Sequence, residues 1–143
     1  MERNEQQGPD SGVTPHLMIA DRRAADAIEF YTQAFGAREL HRVPAPDGRI
    51  MHAHLAINGG SVMLNDDFPE YRGGEPAGAP CGVTLHLQVS DADALWQQAV
   101  GAGASVVMPL EDQFWGDRYG QLQDPFGHRW SVAAPLKADE AAA

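Results

Sequence analysis

An offset of 67 residues lays the second half of this 143-residue chain over the first. It carries Ala27 onto Ala94, Ile28 onto Leu95, Gly36-Ala37 onto Gly103-Ala104 and Gly60 onto Gly127. Identity is low, yet the apolar stripes and the glycine punctuation coincide. Self-similarity of this kind is the mark of one supersecondary unit written twice. Each copy reads βαβββ. In the first, His16–Ala20 is a short strand. Ala24, Ala27, Ile28, Tyr31 and Phe35 then recur at helical spacing, and Gly36 ends the stripe. Arg38–Val43, Ile50–Ile57 and Ser61–Asp66 are strands, separated by the turns Asp47-Gly48 and Asn58-Gly59-Gly60.

Pro69–Pro80 holds three prolines and three glycines with little apolar material, so it reads as a linker rather than an element. The pattern then restarts. Val83–Val89 is a strand, Ser90 and Asp93 stand in capping-box positions, and Ala92, Leu95, Trp96 and Ala99 form the stripe of a second helix ending near Gly101 and Gly103. Three strands follow, through Ala133. The predicted class is α+β. A folded region over 13–136 is built of modules 13–69 and 81–136 joined by a linker, 70–80. The polar or small residues of 1–12 and 137–143 are read as mobile ends.

A chain of this length buries roughly 68% of the surface its unfolded form exposes, enough for a true core. Twenty Asp and Glu against ten Lys and Arg leave a net charge of −10, which opposes phosphate backbones and anionic lipid. Nucleic acid and membrane partners are set aside. The lone cysteine, Cys81, cannot form an internal disulfide, and 1–12 lacks the apolar stretch of a signal peptide, so the cytoplasm is the expected compartment.

Strand parity selects the residues that can meet a ligand, because alternate side chains point to opposite faces. Met51, Ala53, Leu55 and Ile57 form an apolar row suited to packing under a helix, leaving His52 and His54 on the other side. Val83, Leu85, Leu87 and Val89 form another such row, leaving Thr84, His86 and Gln88 opposite. The repeat places His52 and His54 over Tyr119 and Gln121. Together these residues make a face too polar for a core and suited to a binding cleft. Any single histidine among them has an ordinary structural reading as a hydrogen-bonded sheet residue.

Two of the three tryptophans and three of the fifteen glycines fall within Met108–Trp130. Gln113-Phe114-Trp115-Gly116-Asp117-Arg118-Tyr119-Gly120, followed by Asp124-Pro125-Phe126-Gly127-His128-Arg129-Trp130, resembles the C-terminal signature of PhnB-like proteins in the glyoxalase/bleomycin-resistance/extradiol-dioxygenase (vicinal oxygen chelate) superfamily. Pro15-His16-Leu17, Ala27-Ile28-Glu29-Phe30-Tyr31, Ala34-Phe35-Gly36-Ala37 and Asp47-Gly48-Arg49 resemble its N-terminal half. The resemblance implies two βαβββ modules forming an open, curved barrel around a cleft. Within that loop, Phe114 and Trp115 are read equally as packing or as stacking residues, and Asp117 with Arg118 as a local charge pair.

Metal-using members of the superfamily draw ligands from the first and last strand of each module, and the resemblance assigns those positions to His16, Leu64, Thr84 and Ser131. Only His16 is a good ligand, since Leu64 cannot coordinate and neutral hydroxyls are poor donors. No cofactor is therefore expected. A displaced divalent-metal site drawing on His52, His54, Asp66 or His86 is the alternative. The leading expectation is a homodimer binding a small organic ligand through His16, His52, His54, Thr84, His86, Gln88, Trp115, Tyr119 and Gln121. One alternative is a lyase, isomerase or dioxygenase of the same fold, with metal or with His54 or His86 as general base. Another is a drug-sequestering resistance protein whose acidity suits a cationic ligand.

Overall fold

A computed structural model describes residues 7–137. The expectation of mobile ends, as it applies to 1–6 and 138–143, lies outside the described residues. The first unit contains β1 (His16–Ile19), α1 (Ala24–Phe35), β2 (Arg38–Pro44), β3 (Ile50–Ile57) and β4 (Gly60–Asp66). The second contains β5 (Thr84–Gln88), α2 (Ala92–Ala102), β6 (Ser105–Asp112), β7 (Asp117–Gln123) and β8 (Arg129–Pro135). The chain divides after Ala79, and each part has its own four-stranded mixed sheet. Strand order is β1-β4-β3-β2 in one and β5-β8-β7-β6 in the other, with the outer β1 and β5 parallel to their neighbours. The α+β class and the doubled βαβββ order agree with the sequence reading. None of the described helices is long and apolar enough to cross a membrane.

The α1 stripe predicted from spacing is buried in full, and Phe30 and Ala34 join it. Tyr31 and Phe35 stack with ring centroids 6.1 Å apart over the buried side chains of β1, β3 and β4. Each such aromatic or branched side chain contributes roughly 1.5–3 kcal/mol by leaving water. Gly36 ends the helix in the left-handed region, φ 69°, and its N–H donates to Thr32 O. No side chain of the preceding turn caps the start of α1. That role falls to Asp66, at the end of β4: Oδ1 accepts from Ala24 N at 2.9 Å and Oδ2 from Ile50 N at 2.6 Å.

The expected apolar row on β3 breaks at its first residues. Ala53, Leu55 and Ile57 are buried as predicted, but Met51 is 50% exposed and Ile50 is buried. The β2 pairing explains this: Val43 lies opposite His52, while Pro44 lies opposite Ile50, so β3 carries one extra residue there. A bulge of this kind reverses the alternation beyond it, so Ile50 turns into the core in place of Met51.

Pro69–Pro80, read as a plain linker, contains a 3₁₀ turn at Pro69–Arg72 and is tied to the first unit. The Asp67 carboxylate receives Arg72 Nη2 at 2.5 Å and Ala77 N at 3.0 Å. Arg49 bridges Asp47 and Glu70 and lies 4.1 Å from the Phe68 ring centroid. Its guanidinium holds the Glu70 carboxyl down at about 2.

In the second unit, the residue that caps α2 is Asp91, whose Oδ1 accepts from Ala94 N at 3.0 Å, and not Ser90 as predicted. Val89 N still donates to Ala133 O, which keeps the chain in ladder geometry until just before Ser90 and starts the helix later. Asp93 turns instead to Arg118. Ala92 and Ala99 are buried, while Leu95 and Trp96 are half-buried. Trp96 accounts for the glycine inside β7: a Cβ at Gly120 would lie 2.6 Å from Trp96 Cζ3 and 2.9 Å from Leu110 Cα. The Asp124–Gly127 turn forms as predicted, with Asp124 Oδ1 accepting from Phe126 N and His128 N and Oδ2 from Trp130 Nε1.

Candidate functional site

Because Gly120 and Leu122 face α2, Tyr119 and Gln121 must point away from it. Cross-strand pairing extends that helix-free face. Tyr119 lies opposite Ala133 and Gln121 opposite Ser131, while His86 pairs with Ser131 and Thr84 with Arg129. Thr84, His86, Gln88, Tyr119 and Gln121 therefore share one face of one sheet, as their parity predicts.

On this face His86 is held at both ring nitrogens, Nδ1 lying 2.6 Å from Ser131 Oγ and Nε2 2.8 Å from Gln88 Oε1. That fixes the ring plane close to parallel with Tyr119, at an interplanar angle of 19° and a centroid distance of 6.1 Å. Gln121 Nε2 donates to Tyr119 Oη at 3.0 Å. The series of rings continues outward: Trp115 meets Tyr119 edge-on at 5.5 Å and Phe114 meets Trp115 at 5.1 Å. Phe114 is 96% exposed and Trp115 49%. Rings that large at a surface, steered by hydrogen bonds, can stack a planar partner while neighbouring amides and hydroxyls fix its orientation.

The expected pairing of Asp117 with Arg118 does not form. Arg118 Nε and Nη1 go to Asp93 and Asp112, and Asp117 Oδ2 accepts from Trp115 Nε1 at 3.2 Å. Adjacent strand residues point to opposite faces, so neighbours in sequence are poorly placed to pair. Asp117 orients the Trp115 indole instead.

The remaining three candidates lie on the first unit. His16 is exposed at the start of β1. His52 Nε2 lies 2.5 Å from Gln7 O, and its ring centroid is 6.0 Å from that of His41. His54 is buried, with Nε2 2.9 Å from Ser61 Oγ. The nine candidates thus divide between units, three on the first sheet, five on the second and Trp115 in the loop before β7.

The four positions inherited from metal-using relatives do not share one face. Leu64 is fully buried among the side chains that face α1, whereas Ser131 points to the helix-free side and already meets His86. Pairing shows why: with Ala53 laid over Gly120, Ala53 lies opposite Leu64 and Gly120 opposite Val132, so β4 maps onto β8 at an offset of 68 rather than 67. The counterpart of Leu64 is Val132, which is buried as Leu64 is, and not Ser131. Asp66, considered for a displaced site, has both oxygens engaged by backbone N–H groups. Within either unit, no three described His, Cys, Asp or Glu side chains come close enough to hold a metal ion.

Sequence reasoning stopped at Gln121 on β7 and did not reach Gln123 or Arg129. Both lie on the same face, paired with each other and, through Arg129, with Thr84. Two further residues of the same alternation would have found them. A hollow of about 480 Å³ in this unit lies beside Asp91, Asp93, Asp112 and Arg118, where Arg118 bridges Asp93 and Asp112 and Asp91 caps α2.

Known proteins of similar sequence and structure give this geometry a context. The chain is 53% identical over 134 residues to the uncharacterized protein Rv0887c of Mycobacterium tuberculosis, covering 90% of this chain and 76% of that one. The crystal structure of TioX from Micromonospora sp. ML1 matches with 32% identity and a TM-score of 0.64, over 87% of this chain and all of that one. Protein PA1353 from Pseudomonas aeruginosa matches with 26% identity and a TM-score of 0.74, over 90% and 100%. The family model for the Glyoxalase/Bleomycin resistance protein/Dioxygenase superfamily matches residues 14–132, nearly all of both βαβββ units, and the chain belongs to that superfamily.

Proposed function

We propose that this protein binds a small organic ligand on the helix-free face of its second sheet, without the divalent metal that other members of the superfamily use. The observation that carries this reading is the row His86–Tyr119–Trp115, with His86 held by Ser131 and Gln88 and Tyr119 by Gln121. A planar ligand stacks on the rings while Thr84, Gln88 and Gln121 supply donors and acceptors at its edge. His16, His52 and His54 are proposed as ligand contacts of the first unit, taken by itself. The donor chemistry at the inherited metal positions supports the metal-free part, since a buried leucine and two hydroxyls do not replace imidazole and carboxylate. The protein acts as a homodimer in the cytoplasm.

A fragment screen by protein-observed NMR tests the site. Planar heteroaromatic fragments are expected to move the signals of His86, Gln88, Tyr119 and Gln121 together, and Tyr119→Ala to weaken the hits about tenfold, the loss of one well-formed ring contact. Hits confined to other surfaces would refute it. Elemental analysis of the purified chain is expected to find zinc, nickel, manganese and iron far below one equivalent.

A further inference from the structure

At the head of β8, two residue pairs before His86 and Ser131, the same face opens into a cavity of about 280 Å³ lined by Cys81, Gly82, Thr84, Gln123, Gly127 and Arg129, among others. Six of the described arginines, Arg22, Arg23, Arg42, Arg49, Arg72 and Arg118, have a carboxylate within 4 Å. Arg129 has none among the described residues, in a chain with twenty acidic side chains. Arg38 also lacks one, but it is exposed to water, whereas Arg129 is half-buried. Among the described residues, one of the five N–H donors of the Arg129 guanidinium reaches an acceptor, Gln123 Oε1, at 3.5 Å. Its Nε is buried with no hydrogen-bond partner among them. None of the described residues lining the cavity is Asp or Glu.

A buried guanidinium edge without an acceptor is costly, and a carboxylate or phosphate-like group relieves that cost through parallel charge-assisted hydrogen bonds. We propose that Arg129, with Thr84 and Gln123, forms an oxyanion subsite, and that the ligand of this face is an organic acid. The inference rests on the ring-binding role given above to His86 and Tyr119. Same-face residues stand roughly 6.6 Å apart along a strand, so the acid group sits one to two such steps from the rings. The chain's overall acidity therefore does not set the sign of its ligand.

The test uses the full chain, ¹⁵N-labelled, with the Arg129 Nε–Hε signal assigned by its loss in Arg129→Gln. Biphenyl-4-carboxylate, the neutral biphenyl-4-carboxamide and inorganic phosphate are titrated separately. The carboxylate is expected to bind about tenfold more tightly than the carboxamide, the value of a charge-assisted hydrogen-bond pair. It is expected to shift the Arg129 signal where the carboxamide does not. Arg129→Gln abolishes the preference, and Arg129→Lys retains part of it. Phosphate moving the Arg129 signal while neither biphenyl moves His86 or Tyr119 supports the oxyanion subsite and removes the ring-binding reading. Equal affinity for acid and amide, with an Arg129 signal that neither the acid nor phosphate moves, overturns the subsite. Shifts at His86 and Tyr119 in that same experiment would leave the ring-binding reading standing.

Discussion

Asp66 performs two backbone-capping roles with one carboxylate. It accepts from the first N–H of α1 and from the N–H that opens β3, and it is 2% exposed. Removing it orphans two donors in the interior, each costing roughly 1–3 kcal/mol. Asp66→Ala is therefore expected to lower stability by about 2–5 kcal/mol in urea denaturation, and Asp66→Asn by about half as much, because its carbonyl still accepts one bond. An alanine variant as stable as the parent would show the two bonds to be incidental. This role was not legible in the sequence. The partners lie 42 and 16 residues away, and a lone aspartate at a strand end looks the same whether it caps a helix, binds a metal or meets water. The shared face of Thr84, His86, Gln88, Tyr119 and Gln121 was legible because period-two alternation needs no long-range knowledge. The pairing of Leu64 with Ser131 failed for the complementary reason: a repeat offset read from glycines and helix stripes fixes elements, but a slip of one residue sends a side chain to the opposite face.

At the scale of elements, the glycines read as punctuation prove to be of two kinds. Gly36, Gly48 and Gly127 adopt positive φ and end a helix or close a turn, as their positions predict. Gly120 does not. It is required because Trp96 of α2 rests on its Cα, and that contact sets how closely helix and sheet approach in the second unit. Gly120→Ala should push the indole off the sheet and cost about 1–3 kcal/mol, the usual range for overpacking. Gly101 lies near the end of the same helix with open space around it. Gly101→Ala should stabilise by up to about 1 kcal/mol through helix propensity. Opposite signs for these two substitutions in paired thermal or urea melts check the assignment, and a destabilising Gly101→Ala together with a neutral Gly120→Ala would reverse it. Most element boundaries were predicted to within a residue or two because capping and turn residues mark them. The β3 bulge escaped, since the sequence Arg49-Ile50-Met51-His52 carries no glycine or proline to announce an extra residue.

For the whole molecule, what each unit leaves uncovered bears on assembly. The outer strand β6 exposes Val106, Val107 and Met108 at 50%, 42% and 41%, and beside the outer strand β5 Val83 is 68% exposed. On the first unit, Met51 and Tyr71 are 50% and 81% exposed around a hollow of about 370 Å³ shared with Met18 and Phe68. Edge strands with unpaired N–H and C=O groups and apolar side chains invite pairing with another chain unless something blunts them. Pro109 removes one donor from β6, Glu111 and Asp112 place charge at its far end, and register shifts against β7 mark extra residues between Val106 and Met108 and between Met108 and Glu111, but Val106, Val107 and Met108 still present an apolar patch. A second copy of the chain satisfies such an edge through a symmetric contact, in which the same patch serves both partners. The expected result is twice the chain mass in sedimentation equilibrium at micromolar concentration. Val107→Lys should shift that equilibrium toward monomer, because a charge on the patch would face its own copy across the two-fold axis. A monomer mass for the parent chain would remove the homodimer from the proposed function. It would leave the ring face and the Arg129 cavity, each contained within one unit, to be judged on ligand binding alone.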